Sequence, residues 1–128
     1  MGKINFNKES NVIDVHIEIK NGNKTLRPKM ALDTGATFVM IPLEIAETLG
    51  LHPELSQEKT EMITASGVEK VPIVTLKLVR FAGKEVTNVK AIVHDLPQKS
   101  YVDGLLGLSF LRNFNISINF KEGFIELN

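Results

Sequence analysis

Apolar and polar residues alternate along much of this chain with a period of two. Residues 12–20 give the clearest case. Ile13, Val15, Ile17 and Ile19 fall on one face and Asp14, His16, Glu18 and Lys20 on the other, the pattern of a half-buried strand. Asn21-Gly22-Asn23 is a strong hairpin turn, so residues 24–32 are expected to return antiparallel. Residues 59–64 and 68–81 read as two strands around Ala65-Ser66-Gly67. Pro72 has no N–H for a ladder and marks its neighbourhood as an edge or an exposed arm. Ala82-Gly83-Lys84 turns the chain into a strand at residues 86–94, and residues 116–120 and 124–127 alternate about Gly123. A short helix interrupts the series, with Pro42 at its first position, residues 43–49 as its body and Gly50 as its stop. Short strands at regular spacing with turn signals predict an all-β fold with one or two short helices, a small barrel or sandwich. No repeat, low-complexity tract or linker divides the chain, so residues 1–128 are expected to form one domain.

Composition narrows the function more than the fold. With 128 residues, 43% of them hydrophobic, one core can bury roughly two-thirds of the unfolded surface. Fifteen basic and fifteen acidic residues cancel without any block of like charge, which argues against nucleic-acid or anionic-membrane partners. The absence of cysteine excludes disulfides, thiolate catalysis and thiolate metal sites. His16, His52 and His94 lack metal-ligand spacing, so neither metal nor cofactor is expected. No apolar run approaches the ~18 residues of a membrane span, and the N-terminus is too polar for a signal peptide. The cytoplasm is the default expectation.

Candidate chemistry concentrates at Leu32-Asp33-Thr34-Gly35-Ala36. An apolar approach (Met30-Ala31-Leu32) runs into a carboxylate, a hydroxyl and two small residues, and more apolar chain follows (Phe38-Val39-Met40-Ile41). A carboxylate there is costly to desolvate unless it is paired or hydrogen-bonded. Thr34 can anchor a tight turn and Gly35 permits close backbone approach. Such a group holds one carboxylate rigidly, as a catalytic acid or base requires. Asp-Thr-Gly is also an ordinary turn tripeptide, and its context decides. That context is Asp103-Gly104-Leu105-Leu106-Gly107-Leu108-Ser109-Phe110-Leu111, an apolar segment ending in Gly107 before a short helix-like stretch.

With these two motifs roughly seventy residues apart, the chain resembles the retropepsin-like aspartic proteases, in particular their small bacterial single-domain members. The resemblance runs from Val12 onward and implies an acid-protease barrel. It implies Asp33 as the catalytic carboxylate, with Thr34, Gly35 and Ala36 supporting the active-site loop. Thr34 would bond across a two-fold axis and Gly35 would offer its carbonyl to the substrate. Ile63, Thr64, Ala65, Ser66 and Gly67 would belong to a flap closing over the cleft, and Leu105, Leu106 and Gly107 would form the cleft wall. Thr37 departs from the retroviral pattern, in which a carboxylate often grips the substrate backbone. The C-terminal strand would pair between subunits, being otherwise an unpaired edge.

Peptide hydrolysis by carboxylates needs two of them sharing one proton. The chain has a single Asp-Thr-Gly. Asp103 is the only nearby rival and reads as a loop residue, solvated or lining the cleft. The resemblance therefore implies a second carboxylate from Asp33 of another copy, in a homodimer acting on peptide or protein substrates. Two other classes compete. One is a catalytically silent retropepsin-like module for dimerisation or peptide binding, which an intact Asp33-Thr34-Gly35 disfavours. The other is phosphoryl transfer through an aspartyl-phosphate, whose additional Lys or Asp neighbours are absent. Ser66 and Ser109 stand in no recognisable triad motif, and Met30, Met40 and Met62 read as core filling.

Overall fold

The expected hairpin over residues 12–32 forms, but it is bent. In the computed structural model, which describes residues 2–128, its first arm divides at Ile17 into β2 (Asp14–His16) and β3 (Glu18–Asn21). Its second arm divides into β4 (Lys24–Leu26) and β5 (Lys29–Leu32). Pro28 marks the break, because it offers no N–H to the ladder there. One hydrogen bond, from the Ile17 N–H to the Pro28 carbonyl at 3.2 Å, spans the bend. The alternation survives, since Val15, Ile17 and Ile19 are all buried.

The bend closes the main sheet. The remaining elements are β1 (Gly2–Asn5), β6 (Val39–Ile41), α1 (Leu43–Thr48), β7 (Lys59–Thr64), β8 (Gly67–Phe81), β9 (Lys84–Val93), β10 (Gly104–Leu106), α2 (Leu108–Leu111), β11 (Ile116–Asn119) and β12 (Phe124–Leu127). The sheet runs β2-β5-β10-β6-β9-β8-β3-β4, with β7 added to β8. The two halves of one hairpin therefore stand at its two ends, and the sheet curls on itself. Its interior is filled by Leu76, Val79, Phe81, Val89 and Ala91 from the long strands, together with Phe110 of α2. The rings of Phe81 and Phe110 meet edge to face at 6.3 Å. None of the helices among the described residues is long and apolar enough to cross a membrane.

Several boundaries differ from the sequence expectation for identifiable reasons. Pro42 stands one position earlier, as the extended residue that caps α1. The first helical N–H, that of Leu43, is satisfied by the Asp95 carboxylate at 3.0 Å. Pro72 remains inside the fifteen-residue β8, at the point where that strand exchanges partners: residues 67–72 pair with β7 and residues 73–81 with β9. The arm expected around Pro72 is therefore a two-stranded ribbon. The turn after β8 is built by Ala82 and Gly83, both at positive φ.

The C-terminal strand is not an edge. β12 is the middle strand of a separate three-stranded sheet, β1-β12-β11, antiparallel on both sides. β1 went unread because it contains only one large apolar residue, Ile4, and its partner lies at the far end of the chain. Ile125 and Leu127 are fully buried, so removing residues 124–128 would unfold this sheet.

β10 runs between β5, to which it is parallel, and β6, to which it is antiparallel. Asp103, at its start, grips the near end of β5. Its N–H donates to the Lys29 carbonyl at 2.7 Å and its Oδ2 accepts the Lys29 N–H at 2.9 Å. Gly104 follows because nothing larger fits, as a Cβ there would lie 2.0 Å from the Met40 carbonyl oxygen. Gly104→Ala should therefore push β10 off β6 and cost about 3 kcal/mol of stability, the upper range for overpacking. Urea unfolding would register this as a lowered midpoint, and an unchanged midpoint would contradict the close approach.

Candidate functional site

Asp33 is the first residue after β5, and the loop it opens returns to the sheet at β6. The Asp33 N–H donates to the Leu106 carbonyl at 3.0 Å, which carries the β5–β10 ladder one step past its last paired residues. The chain then turns sharply, with the Ala36 N–H donating to the Asp33 carbonyl at 3.2 Å. The carboxylate folds back over its own turn, where Oδ1 accepts the Gly35 N–H at 2.9 Å. Asp33 is half-buried, whereas Thr34 and Gly35 at the loop tip are exposed.

The segment after β10 braces this loop from behind. Gly107 lies against it so closely that a Cβ would stand 2.3 Å from the Phe38 carbonyl oxygen and 2.7 Å from that of Ala36. The Leu108 N–H donates to the Ala36 carbonyl at 2.8 Å. The Ser109 hydroxyl accepts the Val39 N–H at 2.8 Å and donates to the Lys90 carbonyl at 2.7 Å. The apolar-apolar-glycine motif thus carries the loop in its place.

In front of the loop is a cavity of 410 Å3. Gly35, Ala36, Thr37, Phe38 and Met40 form one wall, residues 60–63 of β7 the other, and Ile92 and Leu105 the remainder. Its side chains are mostly apolar, with Glu61 the one charged residue among them. β7 pairs only with β8, so the backbone on its free edge has no partner in the sheet. The β7–β8 ribbon ends in the turn at Ala65-Ser66, which the Thr64 hydroxyl closes by donating to the Gly67 carbonyl at 3.0 Å. Near that end, Ile63 and Val68 face each other across the two strands. They are 85% and 62% exposed, so little core holds the tip down.

The residues singled out in the sequence do not all meet. Asp33, Thr34, Gly35 and Ala36 form the loop, and Ile63 stands across the cavity from Gly35 and Ala36. Residues 64–67 lie at the tip of the ribbon, beyond that cavity. Of the three expected wall residues only Leu105 reaches it. Leu106 is fully buried in the core, because neighbours on a strand point to opposite faces, and Gly107, past the end of β10, is packed behind the loop. Asp103 is not beside Asp33. It pairs with Lys29, four residues back along β5, about 13 Å at the rise of a strand. Met30 and Met40 are buried as expected, although Met40 also borders the cavity, and Met62 lines it from β7. His94 contacts Glu69 at 3.3 Å and His52 contacts Glu54 at 3.3 Å. No metal-binding group of three or more His, Cys, Asp or Glu exists among the described residues. Thr60 and Ile92 reach the cavity from strands distant in the chain, and Phe38 reaches it from the end of the Asp33 loop itself. Ser109 carried a signal, as a lone hydroxyl inside the apolar run 105–111.

Comparison with known proteins agrees with this geometry. The family described as "gag-polyprotein putative aspartyl protease" matches residues 15–113. The crystal structure of a retropepsin-like aspartic protease from Rickettsia conorii superposes with a TM-score of 0.70 at 28% identity, covering 98% of this chain and 99% of that one. A search of curated proteins gives no significant match.

The ribbon geometry has a measurable consequence. Amides with few buried neighbours open at low free energy. In hydrogen exchange, residues 62–69 should exchange at least about tenfold faster than residues 74–79 of the same strand system. Equal protection in the two stretches would mean that the tip is anchored by contacts absent from this structure.

Proposed function

The chain belongs to the family of retropepsin-like aspartic proteases, and from that premise we propose that it is an aspartic endopeptidase whose active unit is a homodimer. Each subunit contributes one Asp33. The observation that carries this reading is the placement of Asp33 at the exit of a buried strand, its Oδ1 held by the Gly35 N–H, on a loop that walls an apolar cavity wide enough for substrate side chains. Asp103 is spent on Lys29, which supports taking the second carboxylate from a second copy. The exposed Thr34 and Gly35 at the loop tip leave Asp33 approachable by that copy.

The chemistry follows from two carboxyls in contact. Like charges that close do not both ionise, so the pair holds one proton. The ionised member takes a proton from water as the water oxygen attacks the peptide carbonyl. The protonated member then gives its proton to the departing amide nitrogen. The free edge of β7 suits a peptide lying extended in the cavity, whose backbone can add to an unpaired strand. The β7–β8 ribbon would serve as the flap, closing over the peptide and excluding water. The apolar lining from Phe38, Met40, Met62 and Leu105 favours apolar side chains beside the scissile bond.

Two measurements test this. Asp33→Asn should lower kcat/KM for peptide cleavage by about 10^3 or more and leave the unfolding midpoint unchanged. Cleavage at the parent rate would remove the protease reading. Specific activity should also fall on dilution in step with the loss of dimer by sedimentation, because a lone protomer lacks half of the dyad. A monomer with full specific activity would refute the shared site.

A further inference from the structure

Three anchors hold the loop that carries Asp33, and all come from four consecutive residues. The Leu106 carbonyl takes the Asp33 N–H at the entry, the Leu108 N–H takes the Ala36 carbonyl in the middle, and the Ser109 hydroxyl takes the Val39 N–H at the exit. The first two are backbone contacts that survive any side-chain change. The third is the only one made by a side chain. We propose that Ser109 is a positioning residue for hydrolysis, fixing the exit of the catalytic loop so that Asp33 is held in register with its partner carboxyl and the substrate. This rests on the protease reading above.

The place of the hydroxyl in the sheet explains why it matters. β6 pairs in parallel with β9 in the register Val39↔Ala91. In that register the acceptor for the Val39 N–H is the carbonyl of the residue before Ala91, which is Lys90. The Ser109 Oγ accepts from that N–H at 2.8 Å and donates to that carbonyl at 2.7 Å, so one hydroxyl spans both ends of the first rung. Both of its roles are satisfied, and it ties α2, β6 and β9 at the point where the loop rejoins the sheet. Without it, the Val39 N–H and the Lys90 carbonyl lose their shared partner, and residues 36–38 are freed to move with the loosened rung. Those residues are held against Gly107 and Leu108, so the movement passes to the turn around Asp33. A misplacement of about 1 Å at a reacting group can cost about 10^2 in rate.

The test compares Ser109→Ala and Ser109→Thr with the parent in peptide cleavage and in amide exchange at Val39. Ser109→Ala should lower kcat by about 10- to 100-fold with KM within about twofold, since the loop and not the substrate pocket is disturbed. Val39 should lose protection. Ser109→Thr keeps the hydroxyl and should restore both within about threefold. Unchanged kcat in Ser109→Ala would overturn the proposal. So would equal losses in the Ala and Thr variants accompanied by a lower unfolding midpoint, which would mark a packing role. If the parent protein cleaves no peptide, the protease reading fails and the positioning role falls with it. If the parent is active and only the Ser109 pattern is absent, the proposal alone fails.

Discussion

The close passage of β10 between β5 and β6 is the constraint on which the rest of the structure depends. Backbone carbonyls of β6 and the loop before it lie where a Cβ of residue 104 or residue 107 would be, at 2.0 and 2.3 Å. Only glycine tolerates that approach without displacement. Once β10 is seated, its carbonyl at Leu106 extends the β5 ladder to Asp33, and the chain beyond Gly107 lies directly behind the loop. The main sheet then has a fixed centre, and the bent hairpin β2–β5 wraps its two halves to either end. The carboxylate inherits its position from a steric condition more than seventy residues away in sequence.

Local patterns were legible and non-local ones were not. The faces of residues 13–19, the turns at Gly22 and Gly83 and the helix before Gly50 follow from neighbours within a few residues. Asp33-Thr34-Gly35 and the glycine motif at residue 107 could be found because their residue types are unusual in apolar surroundings. Other features needed the fold. β1 has too little apolar character to declare itself and exists through β12. The helix cap comes from Asp95, 52 residues away in sequence from the N–H it serves. Asp103 reads as a turn residue until Lys29 is placed beside it. Strand alternation alone separates Leu105, which reaches the cavity, from Leu106, which is buried in the core.

The correction at the C-terminus changes how assembly must be argued. An unpaired terminal strand would have supplied a ready surface for a second copy. β12 is instead satisfied on both sides within its own chain, and the edges of that small sheet belong to β1 and β11. In the proposed dimer, a two-fold contact that brought the Asp33 loops together would find no free edge on β12. It would not rebuild the core, because Ile125 and Leu127 are already buried without a partner.

The same economy couples stability to geometry around Asp33. Gly104 and Gly107 serve the packing of β10 and the shape of the loop at once, so a change at either alters both. The ribbon is different, because its tip makes few core contacts and its residues 62–69 can move while β8 beyond Pro72 stays paired with β9. The loop that carries Asp33 and the loosely held ribbon wall one cavity, and the long strand β8 belongs to both the ribbon and the main sheet. The division falls at Pro72, where the strand changes partners and the missing N–H leaves no ladder bond to be broken there. Such a strand can be firm at one end and mobile at the other without losing its register, which is the mechanical condition that the proposed flap requires.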